Sequence, residues 1–133
     1  GRTIKAARPD VTIVATEPSA APLLGGGDWS PHKIQGWTPD FIPDVLDRDI
    51  FDELRTITDE RSIEISRELA AKEGIFTGIS GGATLATALD VAENAEAGSV
   101  ILAMLPDTGE RYLSTPLFEG VNEGSDDDWL ESL

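Results

Sequence analysis

The segment Gly78-Ile79-Ser80-Gly81-Gly82-Ala83 has the residue types of a turn at which a ligand approaches the backbone. It follows a short apolar run and precedes a helical pattern, and small residues there leave the N–H groups of the helix start uncovered. Two glycines just inside a helix cost about 1 kcal/mol each relative to alanine, which indicates that something comes close there. Serine is also a common helix N-cap, and Ser80 could fill both roles.

Other candidate motifs are weaker. Gly25-Gly26-Gly27 lacks the spacing of a dinucleotide-binding loop, and no lysine-serine pair follows Gly82 as a phosphate-binding loop requires. His32 is the only histidine, so a serine–histidine triad could be built around it alone, and a serine hydrolase is disfavoured although Gly78–Gly82 has the spacing G-x-S-x-G. A metal site would have to use carboxylates alone, and Asp126-Asp127-Asp128 is better explained as a solvated tail.

The composition limits the classes of function. The 133 residues fit one domain, and the absence of cysteine excludes disulfides and thiolate chemistry. The net charge of −15 disfavours nucleic-acid binding, and it fits both a salt-adapted source and an ordinary acidic protein. No apolar run approaches the roughly 18 residues of a membrane span, and the first residues do not resemble a signal peptide. We therefore expect a cytoplasmic protein.

The elements that must position these residues alternate between strand and helix. The pattern predicts a helix over residues 1–8, strands over 11–16 and 53–58, a helix over 59–73, a strand over 75–78, a helix over 81–95 buried on most sides, and a buried strand over 99–105. Residues 17–48 are predicted to be a long irregular loop, which in a compact domain is usually functional. The acidic residues 119–133 are predicted to form a mobile tail, of which Trp129 and Leu130 could dock on the rest of the protein.

Alternating elements with apolar strands predict an α/β fold with a mostly parallel sheet flanked by helices. In such sheets ligands bind beyond the carboxyl ends of the strands. Ser80 and Asp107 each follow a predicted strand, so we expect that they can meet at one site.

Three motifs together resemble one enzyme family. HKIQG at 32–36 with FIP at 41–43, GISGGA at 78–83 and LPDTGERYLST at 105–115 are similar, in order and spacing, to the C-terminal half of cysteine synthase (O-acetylserine sulfhydrylase). The similarity extends from Gly1 to about Phe118, which would make 1–118 part of the catalytic domain. This family has the fold-type II, tryptophan synthase β-like architecture and uses pyridoxal 5'-phosphate.

The resemblance implies a role for each motif. Ser80 occupies the place of the serine that hydrogen-bonds the cofactor's pyridine nitrogen, and Pro106 and Asp107 lie beside the same ring edge. Gln35 and Gly36 belong to a substrate loop that moves on closure. The implied reaction forms L-cysteine and acetate from O-acetylserine and sulfide by β-replacement, in a homodimer.

The resemblance also implies a partner, since Phe41 matches a residue that helps receive the C-terminal tail of serine acetyltransferase. Many relatives have glycines where this chain has Trp37-Thr38-Pro39-Asp40. These residues should stiffen the loop, which affects closure and docking. DFIP at 40–43 also resembles cystathionine β-synthase, which uses serine and homocysteine, whereas GERY at 109–112 favours cysteine synthase.

The implied Schiff-base lysine is missing, because Lys5, Lys33 and Lys72 all lack its serine-rich context. We therefore expect the chain to be a fragment with no catalytic residue of its own and to be inactive alone. A non-catalytic module that binds serine acetyltransferase is the alternative from another class.

Overall fold

Two parallel strands and two long helices form the centre of the structure, a computed structural model that describes residues 1–121 and 126–131. Strand β1 pairs with β2 in a register that sets Val14 opposite Glu53 and Pro18 opposite Ile57. The elements in chain order are α1 (Arg2–Ala7), β1 (Val14–Pro18), β2 (Glu53–Ile57), α2 (Asp59–Glu73), α3 (Ile79–Ala92), a 3-10 turn (Gly109–Tyr112) and α4 (Asp126–Glu131). The α/β fold with a parallel sheet is thus confirmed.

Helix α2 has the bounds that its sequence predicts. Thr58 caps the N-terminus by accepting a hydrogen bond from the Arg61 N–H, and Asp59 and Glu60 place negative charge in the first turn. Gly74 ends the helix with φ 70°, a left-handed conformation that glycine adopts without a Cβ penalty. Local signals at both ends therefore define this element.

The core lies where α3 packs on α2 and on the sheet. Its buried side chains include Ile57, Ile65, Ile79, Ala83 and Ala86. Because the small residues of α3 face α2, the two helices approach closely at the first turns of α3. This packing positions the GISGGA segment.

Helix α3 departs from the prediction in its start and its burial. It begins at Ile79, two residues earlier than expected, and its buried positions all lie between Ile79 and Thr87. Leu89 is 43% exposed, so the prediction of burial on most sides is wrong for the second half of the helix. Apolar residues can be buried only where a neighbouring element packs against them, and much of Leu89 lacks such a neighbour.

Two predicted strands are absent from the described residues. Residues 75–78 contribute only one isolated antiparallel bridge, between Thr77 and Thr108. Residues 99–105 have no strand partner, and Val100 and Leu102 are 96% and 92% exposed. A strand needs a neighbouring backbone to satisfy its N–H and C=O groups, and no described strand pairs with this apolar segment. The strand predicted over 11–16 is also displaced, since β1 covers Val14–Pro18.

The terminal regions contribute little to the core. Helix α1 has no buried residue, and Arg2 and Lys5 pair with Asp47 and Asp52. Part of the predicted mobile tail lies outside the described residues, Ser125 and the side chain of Trp129 included, while residues 126–131 form α4. The mobility of the tail stays a prediction. None of the described helices is long and apolar enough to cross a membrane.

Candidate functional site

Ser80 lies inside the first turn of α3. The N-cap is Gly78, whose extended backbone (φ −73°, ψ 178°) provides no side-chain cap, so the interpretation of Ser80 as the cap is wrong. Ser80 is only 5% exposed, and no hydrogen bond joins its hydroxyl to another described residue. The hydroxyl oxygen is not among the fully buried polar atoms that lack a partner, so it stays accessible to a polar ligand atom.

The glycine pair that follows Ser80 is explained by the protein itself. A Cβ on Gly82 would overlap the carbonyl oxygen of Ser62 and lie 2.8 Å from the backbone nitrogen of Ser66, both on α2. A Cβ on Gly81 would overlap the hydroxyl of Thr77. Something does come close to the backbone here, as predicted, but it is helix α2 and Thr77.

Asp107 lies at the start of α3, as the sequence predicts. A Cβ on Gly78 would lie 2.6 Å from Oδ1 of Asp107, so the carboxylate contacts the backbone two residues before Ser80. The Thr77 hydroxyl donates to the Asp107 carbonyl oxygen at 3.1 Å, and the Gly109 N–H donates to the carbonyl of Phe76. Pro106 precedes Asp107 and is exposed. Their roles toward a cofactor stay predictions.

Tyr112 is a site residue that the sequence reasoning did not single out. Its hydroxyl donates a hydrogen bond to Oδ2 of Asp107, and this bond, together with burial, raises the pKa of Tyr112. Oδ1 of Asp107 is buried and has no partner among the described residues. The GERY segment was recognised as a family motif, but only the fold shows that its tyrosine reaches Asp107.

The loop residues form a second part of the site. Gly36, Trp37, Phe41 and Leu24 line a groove of about 310 Å³. Gly36 has φ 83° and Phe41 is 60% exposed, so the predicted substrate glycine and the predicted partner residue share one groove. Gln35 is exposed and does not line it.

Thr38 holds an unusual backbone conformation in this loop. Its φ of 33° is uncommon for a β-branched residue. Its carbonyl oxygen accepts a hydrogen bond from Nε1 of Trp29 at 3.1 Å and lies 3.2 Å from Nε2 of His32. The only histidine therefore contacts this loop, and no hydrogen bond in the described residues joins it to Ser80.

Glu17 binds the backbone of the loop segment that contains Leu24, another residue of the groove. It is 1% exposed, and its two carboxylate oxygens accept hydrogen bonds from the N–H groups of Leu24 and Gly25 at 2.8 and 3.0 Å. In Glu17→Gln an amide NH₂ would face one of these N–H donors. We expect a loss of about 2 kcal/mol in the free energy of unfolding, measured by urea denaturation.

Glu53→Gln is the matched control, because Glu53 is an exposed carboxylate that pairs with Arg55 on the same strand. Such pairs contribute roughly 0.5 kcal/mol or less. Equal losses in the two variants would mean that the Glu17 hydrogen bonds do not stabilise the loop.

Comparisons with known proteins show the family of the chain. The model of the pyridoxal-phosphate dependent enzyme family matches residues 1–107. The O-ureido-L-serine synthase of Streptomyces lavendulae is 61% identical over 133 residues, which are 100% of this chain and 41% of that protein. A Staphylococcus aureus cysteine synthase is 42% identical over 118 residues, which are 89% of this chain and 38% of that protein.

Solved structures show the same relationship. A crystal structure of O-ureido-L-serine synthase has a TM-score of 0.91 at 60% identity, and the match covers 98% of this chain and 41% of that chain. Cysteine synthase from Entamoeba histolytica has a TM-score of 0.87 at 34% identity, and the match covers 98% of this chain and 39% of that chain. An O-acetylserine-dependent cystathionine β-synthase from Helicobacter pylori has a TM-score of 0.81 at 35% identity, and the match covers 88% of this chain and 38% of that chain. The chain thus spans about two fifths of the length of these relatives.

Proposed function

Because the chain belongs to the pyridoxal-phosphate-dependent enzyme family, we propose that it forms one side of the cofactor site of a β-replacement enzyme. The observation that carries this proposal is Ser80 in the first turn of α3, a nearly buried residue whose hydroxyl has no hydrogen-bond partner among the described residues and stays accessible. The reaction would exchange the leaving group on the β-carbon of an activated serine for a nucleophile. Relatives that are cysteine synthases support this class of reaction.

The residues at the start of α3 fit the pyridine side of pyridoxal phosphate. The Ser80 hydroxyl has no hydrogen-bond partner among the described residues and could meet the ring nitrogen, the Asp107 carboxylate lies beside it against Gly78, and no acidic side chain stands in the first turn. When bound, the cofactor supplies an electron sink for bonds at the α-carbon of an amino acid. A neutral hydroxyl at the ring nitrogen, unlike a carboxylate, moderates that sink and favours elimination over transamination. Ser80 would thus orient the ring and tune its electronics.

The lysine that holds the cofactor would come from another part of the enzyme. Lys5 pairs with Asp52 and Lys72 with Glu68, while Lys33 has an exposed side chain and gives its backbone N–H to Asp59. These are the three lysines of the chain. We therefore propose that the chain alone does not catalyse the reaction and that catalysis requires the complete enzyme.

As the specific reaction we propose cysteine synthesis from O-acetylserine and sulfide. The three motifs and the similarity to cysteine synthases support it. The groove that contains Gly36 would cover the substrate, and the loop would exclude water while the leaving group departs. Phe41, which is 60% exposed at this groove, would receive the tail of serine acetyltransferase, and the complete enzyme would be a homodimer.

A second candidate is the formation of O-ureido-L-serine. It is favoured by the 61% identity to an O-ureido-L-serine synthase along the whole chain, against 42% to a cysteine synthase. That product carries a ureido group on the β-oxygen of serine. A β-replacement that forms it would use hydroxyurea in place of sulfide.

Competing nucleophiles test both candidates. The complete enzyme with bound cofactor is given O-acetylserine together with sulfide, hydroxyurea or homocysteine, and kcat/KM is measured by mass spectrometry of the product. We expect kcat/KM for sulfide to exceed that for homocysteine by about tenfold or more. A preference for hydroxyurea would replace the first candidate by the second, and a preference for homocysteine would indicate a cystathionine β-synthase.

Two outcomes would contradict the proposal as a whole. One is cofactor binding without product from any of the three nucleophiles, which would exclude β-replacement. The other is a native protein of this length that binds serine acetyltransferase without cofactor, which would favour the non-catalytic module.

A further inference from the structure

Tyr112 is held in place by the segment that follows it in the chain. It is 8% exposed, and its carbonyl oxygen accepts a hydrogen bond from the hydroxyl of Thr115 at 2.6 Å. Leu117, which follows in the same segment, is fully buried in the core. The ring of Tyr112 therefore has little freedom to move relative to α3.

Arg67, on helix α2, forms hydrogen bonds to the backbone of the segment that follows Tyr112. Its guanidinium donates hydrogen bonds to the carbonyl oxygens of Leu117 at 2.5 Å, Pro116 at 3.1 Å and Glu119 at 2.9 Å. Helix α2 is also the element that packs against Gly82 of α3. One helix thus positions both the GISGGA turn and the segment that carries Tyr112.

The hydroxyl of Tyr112 determines how the Asp107 carboxylate is oriented. It occupies Oδ2, which leaves Oδ1 buried, unpartnered within the described residues and in contact with Gly78. Gly78 has no room for a Cβ, because the Tyr112 ring and Oδ1 of Asp107 fill that space. The pair therefore lies against the backbone that leads directly into Ser80.

We propose that Tyr112 is a positioning residue that holds the Asp107 carboxylate, with Oδ1 buried against Gly78, beside the place where the ring of pyridoxal phosphate would bind. The inference rests on the proposed function and concerns the same site. A carboxylate held beside the ring favours the protonated form of the ring nitrogen. It adds a negative charge to a site where Ser80 supplies only a neutral hydroxyl. Tyr112, through Asp107, would thereby influence the electronic state of the cofactor.

The first test measures the hydrogen bond between Tyr112 and Asp107 through the ionisation of the Tyr112 phenol. Tyr112 is the only tyrosine of the chain, although other parts of the complete enzyme can contain more. Its phenol ionisation is followed by ultraviolet difference absorbance, with Tyr112→Phe as the reference that identifies its signal. In Asp107→Asn, which retains the shape of the side chain, we expect the pKa of Tyr112 to fall toward that of a free phenol, because the carboxylate that accepts its hydrogen bond is lost. An unchanged titration would overturn the proposal, because the two side chains would then not interact.

The second test is a double-mutant cycle in the complete enzyme with bound cofactor. The measured quantity is the pH midpoint of the absorbance change of the bound cofactor. We expect Asp107→Asn to lower it by about one unit, Tyr112→Phe to lower it by less, and the double variant to match Asp107→Asn alone. Additive shifts, or no shift in either single variant, would overturn the positioning role.

Leu117→Val is the matched control. It loosens the same buried segment and lowers thermal stability without touching the pair, so the midpoint should stay unchanged. A shift in this variant as large as that in Tyr112→Phe would show that loosening alone moves the cofactor and would overturn the proposal. A wild-type enzyme that binds no cofactor would instead contradict the proposed function, while the tyrosine titration would still report the pair.

Discussion

Gly82→Ala is expected to lower the free energy of unfolding by about 3 kcal/mol, because the added methyl group has no space between α3 and α2. Its Cβ would overlap the carbonyl oxygen of Ser62 and lie 2.8 Å from the backbone nitrogen and Cβ of Ser66. Two of these neighbours are backbone atoms of a helix, so they cannot rotate away as a side chain does. The helices would have to separate, which would also displace the turn that carries Ser80. Urea denaturation of the complete protein measures the effect.

Gly74→Ala separates this clash from the loss of a glycine's conformational freedom. Gly74 ends α2 with φ 70°, and a Cβ there would meet nothing within 4 Å. Only backbone strain is expected, at about 1 kcal/mol. If Gly82→Ala destabilises no more than Gly74→Ala, the close approach of α2 is not what requires glycine at position 82.

Ser80→Ala is expected to slow elimination of acetate from O-acetylserine by about tenfold in the complete enzyme, while cofactor affinity changes by about twofold or less. The substitution removes the hydroxyl proposed for the ring nitrogen, and one hydrogen bond to a developing charge has about this effect on a rate. The phosphate and the lysine linkage, which other parts of the enzyme would hold, would account for most of the affinity. Single-turnover release of acetate measures the rate, and equilibrium dialysis measures cofactor binding.

Ser99→Ala is the matched control, since Ser99 is an exposed serine outside the three motifs. It should leave both quantities unchanged. An unchanged elimination rate in Ser80→Ala would mean that Ser80 is only a buried residue of the first helical turn.

The accuracy of the sequence predictions depended on how local the determining interactions are. Helix α2 was predicted with its bounds because Thr58, the acidic first turn and Gly74 act within a few residues. The segment 99–105 was predicted as a buried strand, yet Val100 and Leu102 are almost fully exposed. Its apolar run shows only that the segment has apolar side chains to bury. A strand also needs a partner backbone, which no described strand supplies.

By itself the sequence determined the α/β class, the position of α2 and the motif order that identifies the family. Only the tertiary structure decided that α2 fills the space at Gly82, that Ser80 lies inside the helix, and that Tyr112 holds Asp107. The physical reason is the range of the interactions. Capping and backbone preferences act between near neighbours along the chain, whereas the contacts around GISGGA join segments brought together only by the packing of α2 on α3. The glycine-rich turn predicted a close approach, and the fold identified the neighbour.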